Sequence, residues 1–564
     1  MMARLTSFIR PNAYRILELF NAVLVLSVVL SEPSKGVEFG IQTTRQLPVS
    51  GFPDRFHRVQ ETIPFAPSET ALIICDVWDS HHCVNAVRRV QEIAPRIEAL
   101  ATALRSEGTT VIHAPSDCMP FYNTHPARDQ SKSIPAAANL PNDIAKWCDR
   151  IPSEESASYP IDQSDGGEDD DPVEHAQWAE KLASEGRNPK APWRQQIPVI
   201  KIDSKLDFIS DSGNEIWNIL ESKRIKQVLI CGVHTNMCVL GRPFGLRQLS
   251  NHGKNVVLLR DLTDTMYNPG SWPYVNHFSG TDLIIDHVER YVCPTTTSDQ
   301  VFSTLKKPDS DSKTMPVRFS MDRRPHLVML IAEDEYETAK TLPQFAATQL
   351  QTQLKVSVVY GDSKDRASIP GIEAISDADA LLVSVRRRPL KSADLQRIQA
   401  FVHSGRPVLG IRTASHAFSM RDGKQVDGLV QWPEFDAYAF GGSYTNHFSN
   451  DLHPTIQRTG SASQLFTSKG SLYKVSPLKP GTRVSLSGTI DSQPSQPVAW
   501  TYVRADGGPS FYTSLGHPSD FEKPQFQELL TNAVLHACGL QERSSDQISQ
   551  QQSRYSSGKG RQRK

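Results

Sequence analysis

Val228-Leu229-Ile230-Cys231-Gly232-Val233-His234-Thr235-Asn236-Met237-Cys238-Val239 is the stretch that decides how this chain reads. Apolar and β-favouring residues run into Gly232, the pattern of a buried strand that stops abruptly. A short polar turn follows, and Cys238 falls one turn into a new helix. A thiol in that position faces unpaired backbone N–H groups and the positive end of the helix dipole, which lower its pKa. The same N–H groups can hold a developing oxyanion. Most cysteines are small core residues, and Cys238 taken alone fits that role as well.

Ala71-Leu72-Ile73-Ile74-Cys75-Asp76, upstream, is a second buried strand, ending in an acid. In open α/β sheets ligands bind at the carboxyl ends of strands, so Asp76 is either a helix N-cap or a functional carboxylate. Residues 84–107 have helical spacing and stop at Gly108, and 110–114 are the next strand. Residues 197–201 read as a third strand ending in Lys201, and 213–223 as a helix. A helix should run from Cys238 to about residue 252, followed by a strand over 256–259 with Asp261 and Asp264 in the loop beyond it. Periodicity fades over 126–195. The run Asp165-Gly166-Gly167-Glu168-Asp169-Asp170-Asp171 is too charged for a core, so this is an insertion or lid, with Trp178 and Trp193 as its anchors.

GVHTNMCV, the Gly-Arg-Pro-Phe-Gly-Leu-Arg that follows, and the later strand 256–259 reaching Asp261 resemble the isochorismatase-like cysteine hydrolases, which include the nicotinamidases. The resemblance covers residues 68–295. It implies an Asp/Lys/Cys triad: Asp76 as general base, Cys238 as nucleophile, and Lys201 as the cation that holds both charges. The family's usual Ser-Ala-Phe after that lysine is absent, and Lys205 competes with Lys201 for the role. The resemblance also implies a cis peptide next to Val233, with the His234 and Cys238 N–H groups as the oxyanion hole. Nicotinamidases bind a divalent metal through an Asp-x-His and a later His, and that spacing is missing here. Asp79, His81, His82, Asp117 and His125 are the alternative N/O donors. A thiol mechanism requires no cofactor, so the expectation is no metal in this domain.

A chain of 564 residues is too long for one core. With 61 basic against 62 acidic residues, net charge gives no reason to expect nucleic acid as a partner. Eight cysteines without a C-x-x-C pair read as reduced thiols. Arg4, Arg10 and Arg15 precede about a dozen apolar residues, so 1–35 reads as a signal peptide or N-terminal anchor and the protein as exported, cytoplasmic being the alternative. That segment is the only expected link to a membrane. A small-molecule substrate is the expected partner, and a homo-oligomer is compatible with the sequence. Residues 36–67 read as an extended lead-in.

Residues 296–323 read as a linker, and strand–helix alternation resumes at residue 326. The segments Gly410-Ile411-Arg412-Thr413-Ala414-Ser415-His416, Gly441-Gly442-Ser443-Tyr444-Thr445-Asn446-His447 and Phe511-Tyr512-Thr513-Ser514-Leu515-Gly516-His517-Pro518 resemble the ThuA-like, trehalose-utilisation branch of the class I glutamine amidotransferase-like fold, over 324–540. Where an amidotransferase carries its cysteine, this chain has Arg412, which excludes glutaminase chemistry. Arg412, His416, His447 and His517, with Glu333, are expected to converge on one pocket. Three imidazoles permit a metal, but the fixed Arg412 cation favours a polar, sugar-like or anionic ligand. Residues 541–564, almost without apolar side chains, read as a disordered tail.

The fold class expected is therefore α/β: two doubly wound domains, each a mainly parallel sheet flanked by helices. The function expected is hydrolysis of a small amide- or ester-like metabolite through a cysteine nucleophile. The alternative is a non-hydrolytic first domain, with carbohydrate-related binding or chemistry in the second.

Overall fold

The structure, a computed structural model, describes residues 39–305 and 319–562. The segment expected to direct export and the middle of the expected linker lie outside the described residues. Among the described residues no helix is long and apolar enough to cross a membrane.

These residues form two α/β domains. The first is an eight-stranded sheet of β1 (Phe39–Val49), β2 (Phe52–Phe65), β3 (Thr70–Cys75), β4 (Thr110–Ala114), β5 (Phe208–Ile209), β6 (Gln227–Val233), β7 (Asn255–Asp264) and β8 (Thr295–Thr296), in the order 2-1-8-7-6-3-4-5. From β8 to β5 every pair is parallel. All six residues of β3 and all seven of β6 are buried, which explains their continuous apolar runs: helices cover both faces. The chain leaves β3 and β6 in opposite directions, so a crevice opens between their carboxyl ends. Gly232 has φ 114°, and a Cβ there would stand 1.9 Å from the Cys75 carbonyl oxygen. Only glycine lets the two strands register this closely at the crevice.

In the first domain five expectations change. Residues 39–65 are a paired hairpin, β1 and β2, which joins the sheet edge through Thr44 and Thr295 instead of trailing as a lead-in. Residues 295–304 hold β8 and the helix Ser298–Thr304, so the linker begins later than its composition suggested. Residues 197–201 are not a strand: Pro198 denies the ladder a donor, and the two-residue β5 pairs with β4 instead. The expected long helix after Cys238 is a π-helical turn, Thr235–Val239, and a separate helix, Leu246–Asn251, split around Pro243. Finally, β7 extends through Asp261 to Asp264.

In the second domain β9 (His326–Ala332), β10 (Lys355–Tyr360), β11 (Ala380–Val385) and β12 (Val408–Ile411) are parallel, in the order 10-9-11-12. Strand Pro509–Thr513 adds parallel to β12, and four antiparallel strands complete a nine-stranded sheet. The switch point here lies between β9 and β11. Arg324 donates to Asp282 at 2.9 Å, and Asn276 N–H to the Gln351 carbonyl at 3.0 Å, tying this domain to the helix His277–Tyr291 and its N-cap.

The expected disordered tail is the helix Ser545–Gln562. Ile548 is 1% exposed and Tyr555 meets Trp272. These two apolar residues stand seven apart, on one helix face. Composition counted them as too few, and their spacing is what lets the segment pack. Arg554 stacks 4.3 Å from Tyr274, so the helix reaches from the second domain onto a loop of the first.

Candidate active site

Asp76 follows β3 with φ 50°, a left-handed backbone at a fully buried residue. Such non-glycine conformations cluster where a site over-determines the chain. Its Oδ1 accepts the Ser116 N–H at 2.7 Å, delivered by the end of β4, and its Oδ2 accepts Arg242 Nε at 3.2 Å. The Cys238 thiol approaches this carboxyl closely enough for each to perturb the other's protonation. Thus β3, β4 and the turn after β6 bring Asp76 and Cys238 together at the crevice. The Val233–His234 peptide is cis. Thr235 and Asn236 fix this turn: Thr235 Oγ1 bonds Thr263 and the Asp264 carbonyl, and Asn236 reaches Met266 and Gln163.

Lys201 is not in this group. It lies on the surface, with Nζ on the Pro198 carbonyl and its N–H on Glu98, and Lys205 is exposed too. The cation beside Asp76 is Arg242, in the Gly-Arg-Pro-Phe-Gly-Leu-Arg segment after Cys238, a residue for which no role was expected. Its spacing is the signal that could have found it: four residues past Cys238, one helical turn on. Arg242 Nη2 also reaches Asp117, a left-handed residue after β4, at 3.3 Å.

The thiol is the second correction. Burial and the neighbouring Asp76 carboxylate push Cys238 well above the usual thiol range, and Arg242 opposes this only in part. The resting group is therefore the neutral thiol; the helix-end effect expected from the sequence is outweighed because Cys238 is only 9% exposed. Burial also raises Asp76, against the pull of Arg242 and of its hydrogen bonds. A carboxylate raised in this way is a stronger base, next to a thiol that must lose a proton.

The crevice wall is aromatic. Trp78 stacks on Trp193 with centroids 4.6 Å apart, and His81 lies 4.9 Å from His234. Trp193 belongs to the acidic insertion, as does Trp178, whose Nε1 donates to the His81 carbonyl at 2.9 Å. His234 is 2% exposed, neither ring nitrogen has a partner, and burial lowers its pKa to about 4, so it is a neutral imidazole. It lines a small cavity with Asp76, Trp78 and His81.

The alternative metal donors serve other roles. His81 Nδ1 accepts the Cys83 N–H, His125 caps the helix Pro126–Ser133, His82 pairs with Glu168, and Asp79 holds Arg187 and the Arg194 N–H. Among the described residues Cys83, Asp169 and Asp170 bring three donor atoms together. Asp170 accepts the N–H groups of Val84 and Asn85 at the start of helix α1 (Val84–Ser106), and Asp169 is held by Arg89. That is a helix N-cap and an ion pair, so these residues do not present a free ligand set. The acidic run read as a lid is thereby clasped to the body.

Of the second-domain residues, Arg412 and His416 share one cluster at the end of β12, packed against Tyr473. His447 touches its edge, 6.5 Å from Tyr473, with its Nδ1 on the Phe448 carbonyl. His517 caps the turn Pro518–Glu522, and Glu333 caps the segment that carries Tyr336 and Thr338.

No curated protein matches the chain. Among solved structures, a cysteine hydrolase from Pseudomonas syringae pv. phaseolicola is 14% identical, over 43% of this chain and 95% of its own, with a TM-score of 0.27. An isochorismatase family protein from Burkholderia thailandensis is 13% identical over 43% and 97%, with a TM-score of 0.24. A ThuA-like protein from Bacteroides uniformis is 11% identical over 38% and 92%, with a TM-score of 0.28. Family models match the chain in two places, an isochorismatase domain at residues 70–271 and a trehalose utilisation (ThuA) domain at 328–537. The chain therefore joins an isochorismatase-like domain, whose switch point carries Asp76 and Cys238, to a ThuA-like domain.

Proposed function

We propose that the first domain hydrolyses a small amide or ester through a covalent Cys238 intermediate. The observation that carries this reading is the buried contact of the Asp76 carboxyl with the Cys238 thiol, flanked by Arg242 Nε at 3.2 Å. Asp76 takes the thiol proton, and Sγ adds to the substrate carbonyl carbon. The oxyanion forms beside the N–H groups of His234 and Cys238. The carbonyl re-forms as the C–N or C–O bond breaks, and the amine or alkoxide leaves with the proton held on Asp76. Water then attacks the thioester, again giving its proton to Asp76, and the acid leaves with the thiol restored. Arg242 holds Asp76 as carboxylate before each transfer and attracts the transient thiolate.

The test is a panel of small amides and esters offered to the full chain and to Asp76→Asn. Loss of the base lowers kcat/KM by about 100- to 10,000-fold. Undiminished turnover by Asp76→Asn rejects the assignment.

The pH profile carries a second expectation. Asp76 must be ionised to act, and burial raises its pKa, so activity falls on the acid side at a pH above the ordinary carboxylate range. Arg242 lowers Asp76, so in Arg242→Gln the acid limb moves to higher pH. A limb that stays in place or moves to lower pH contradicts the role given to Arg242.

A further inference from the structure

Asn236 stands two residues before Cys238 and is 3% exposed. Its side chain meets both polar groups of the Met266 backbone: Oδ1 accepts the N–H at 3.0 Å, and Nδ2 donates to the carbonyl at 2.9 Å. Met266 opens the irregular loop that passes Asn268, Trp272 and Tyr274 before the helix His277–Tyr291. Tyr274 has φ 61°, a left-handed backbone that a non-glycine residue holds only where its surroundings enforce it.

Two elements enforce it. One is the acidic insertion. Asp165 Oδ2 accepts Asn268 Nδ2 at 2.9 Å and Ser271 Oγ at 2.7 Å, and the Asp162 N–H donates to the Trp272 carbonyl at 2.8 Å. Between these acids, Gln163 Oε1 accepts Asn236 Nδ2 at 2.8 Å, and Tyr159 O–H donates to the Asn236 carbonyl at 3.3 Å. The insertion therefore grips the loop and the nucleophile turn at once.

The other is the C-terminal helix Ser545–Gln562. Gln551, Tyr555 and Gly558 recur at helical spacing and share one face. Gln551 Nε2 donates to the Tyr274 carbonyl at 3.2 Å, and the Tyr555 and Trp272 rings lie 6.2 Å apart. Arg554 Nη2 donates to the Gly270 carbonyl at 3.2 Å while its guanidinium stacks on Tyr274. A Cβ on Gly558 would stand 2.6 Å from Trp272 Cδ1 and 2.8 Å from Tyr274 Cε2. Glycine weakens a helix relative to alanine; here it admits the two rings. The root of the same helix belongs to the second domain. Gln349 Nε2 donates to the Ile548 carbonyl at 3.1 Å, Asn532 and Arg543 exchange two hydrogen bonds, and Ser545 Oγ donates to Glu528 at 2.6 Å.

We propose that the C-terminal helix of the ThuA-like domain is a positioning element for the first domain's site. Through Trp272 and Tyr274 it fixes the loop to which Asn236 is bonded, and through Asn236 it fixes the turn that presents the His234 and Cys238 N–H groups. Gln551, Arg554 and Tyr555 are its positioning residues. This rests on the Cys238 mechanism proposed above, and it makes the two domains one catalytic unit although the helix touches no reacting atom.

The test uses the full chain and two variants. Arg554→Ala/Tyr555→Ala removes the side chains that anchor the helix tip, and Gly558→Val wedges the tip off Trp272 while removing nothing. Both changes lie beyond the root, outside the core of either domain. Amide hydrogen exchange needs no substrate: peptides covering 232–242 and 266–276 should exchange about tenfold faster in both variants, and those of β9 and β11 at wild-type rates. With a substrate from the amide and ester panel, kcat should fall by about tenfold or more and KM change by less than about twofold, since misplacement by about 1 Å can cost about 100-fold. Arg554→Lys/Tyr555→Phe, which keeps the cation and the ring, should restore both readouts. A helix that only added stability would lower the melting temperature and leave kcat at room temperature alone. Wild-type exchange over 232–242 in both variants overturns the proposal, and so does an unchanged kcat. Faster exchange and a lower kcat in these variants, beside full turnover by Asp76→Asn, would support the positioning and reject the mechanism, so the two readings fail separately.

Discussion

A Cys238→Ala protein is expected to fold as the wild type does and to lose turnover by on the order of 10,000-fold or more. The loss is this large because the nucleophile and its base act as one unit: without sulfur, the proton taken by Asp76 activates nothing. Residual hydrolysis would come from binding and the oxyanion donors alone. The fold should survive because Cys238 is a small side chain in a turn pinned independently by Thr235 and Asn236. Circular dichroism and steady-state kinetics on the same preparation separate the two effects. Unchanged kcat/KM in a folded Cys238→Ala protein would remove the thiol from the mechanism.

The second large effect falls on stability. Arg89 in α1 is 1% exposed; its Nε meets Asp264 at 2.7 Å and its Nη atoms meet Asp169 at 2.8 and 2.9 Å. Asp264 is wholly buried, and His277 Nε2 lies 3.0 Å from its other oxygen. Arg89→Ala leaves two carboxylates in a buried site with one imidazole, a loss of about 3–5 kcal/mol. Urea melts at pH 7 measure it, and a change below ~1 kcal/mol would contradict the account. The sign with pH is also set. Arg89 and His277 together hold Asp264 below the ordinary carboxylate range in spite of burial. In the wild type this stabilisation is complete above the unfolded carboxylate pKa and is lost as pH falls through the folded one. Without Arg89 the folded pKa rises above the unfolded value, protonation then favours the folded state, and the deficit of the variant shrinks towards acid pH.

The strands β3 and β6 and the turn after β6 were legible because both strands are buried on both faces, so their apolar runs carry the period directly. Asp76 and Cys238 followed from strand ends. Lys201 did not, because its segment looks apolar yet contains Pro198 and sits in a turn next to the insertion, where no local pattern reports the sheet order. Arg242 left only its spacing one turn past Cys238 as a signal, because its contact with Asp76 spans 166 residues of sequence. Asp264, read as a loop residue, is the buried partner of Arg89 from another element, and pairing of that kind leaves no mark on local spacing. The C-terminal helix was missed because two apolar residues suffice when preformed surfaces receive them: Tyr555 meets Trp272, and Ile548 is buried where its carbonyl accepts from Gln349.

The proposed mechanism stands or falls on acylation of Cys238 during turnover. Once the panel supplies a substrate, acid quenching of the full chain within the first turnovers, followed by intact mass and peptide mapping, tests it most directly. A mass increase equal to the acyl group is expected, mapped to the peptide that holds Cys238, lost on hydroxylamine treatment and absent from Cys238→Ala. Sustained turnover with no adduct at Cys238, under conditions where an ester substrate makes deacylation the slower step, would contradict it.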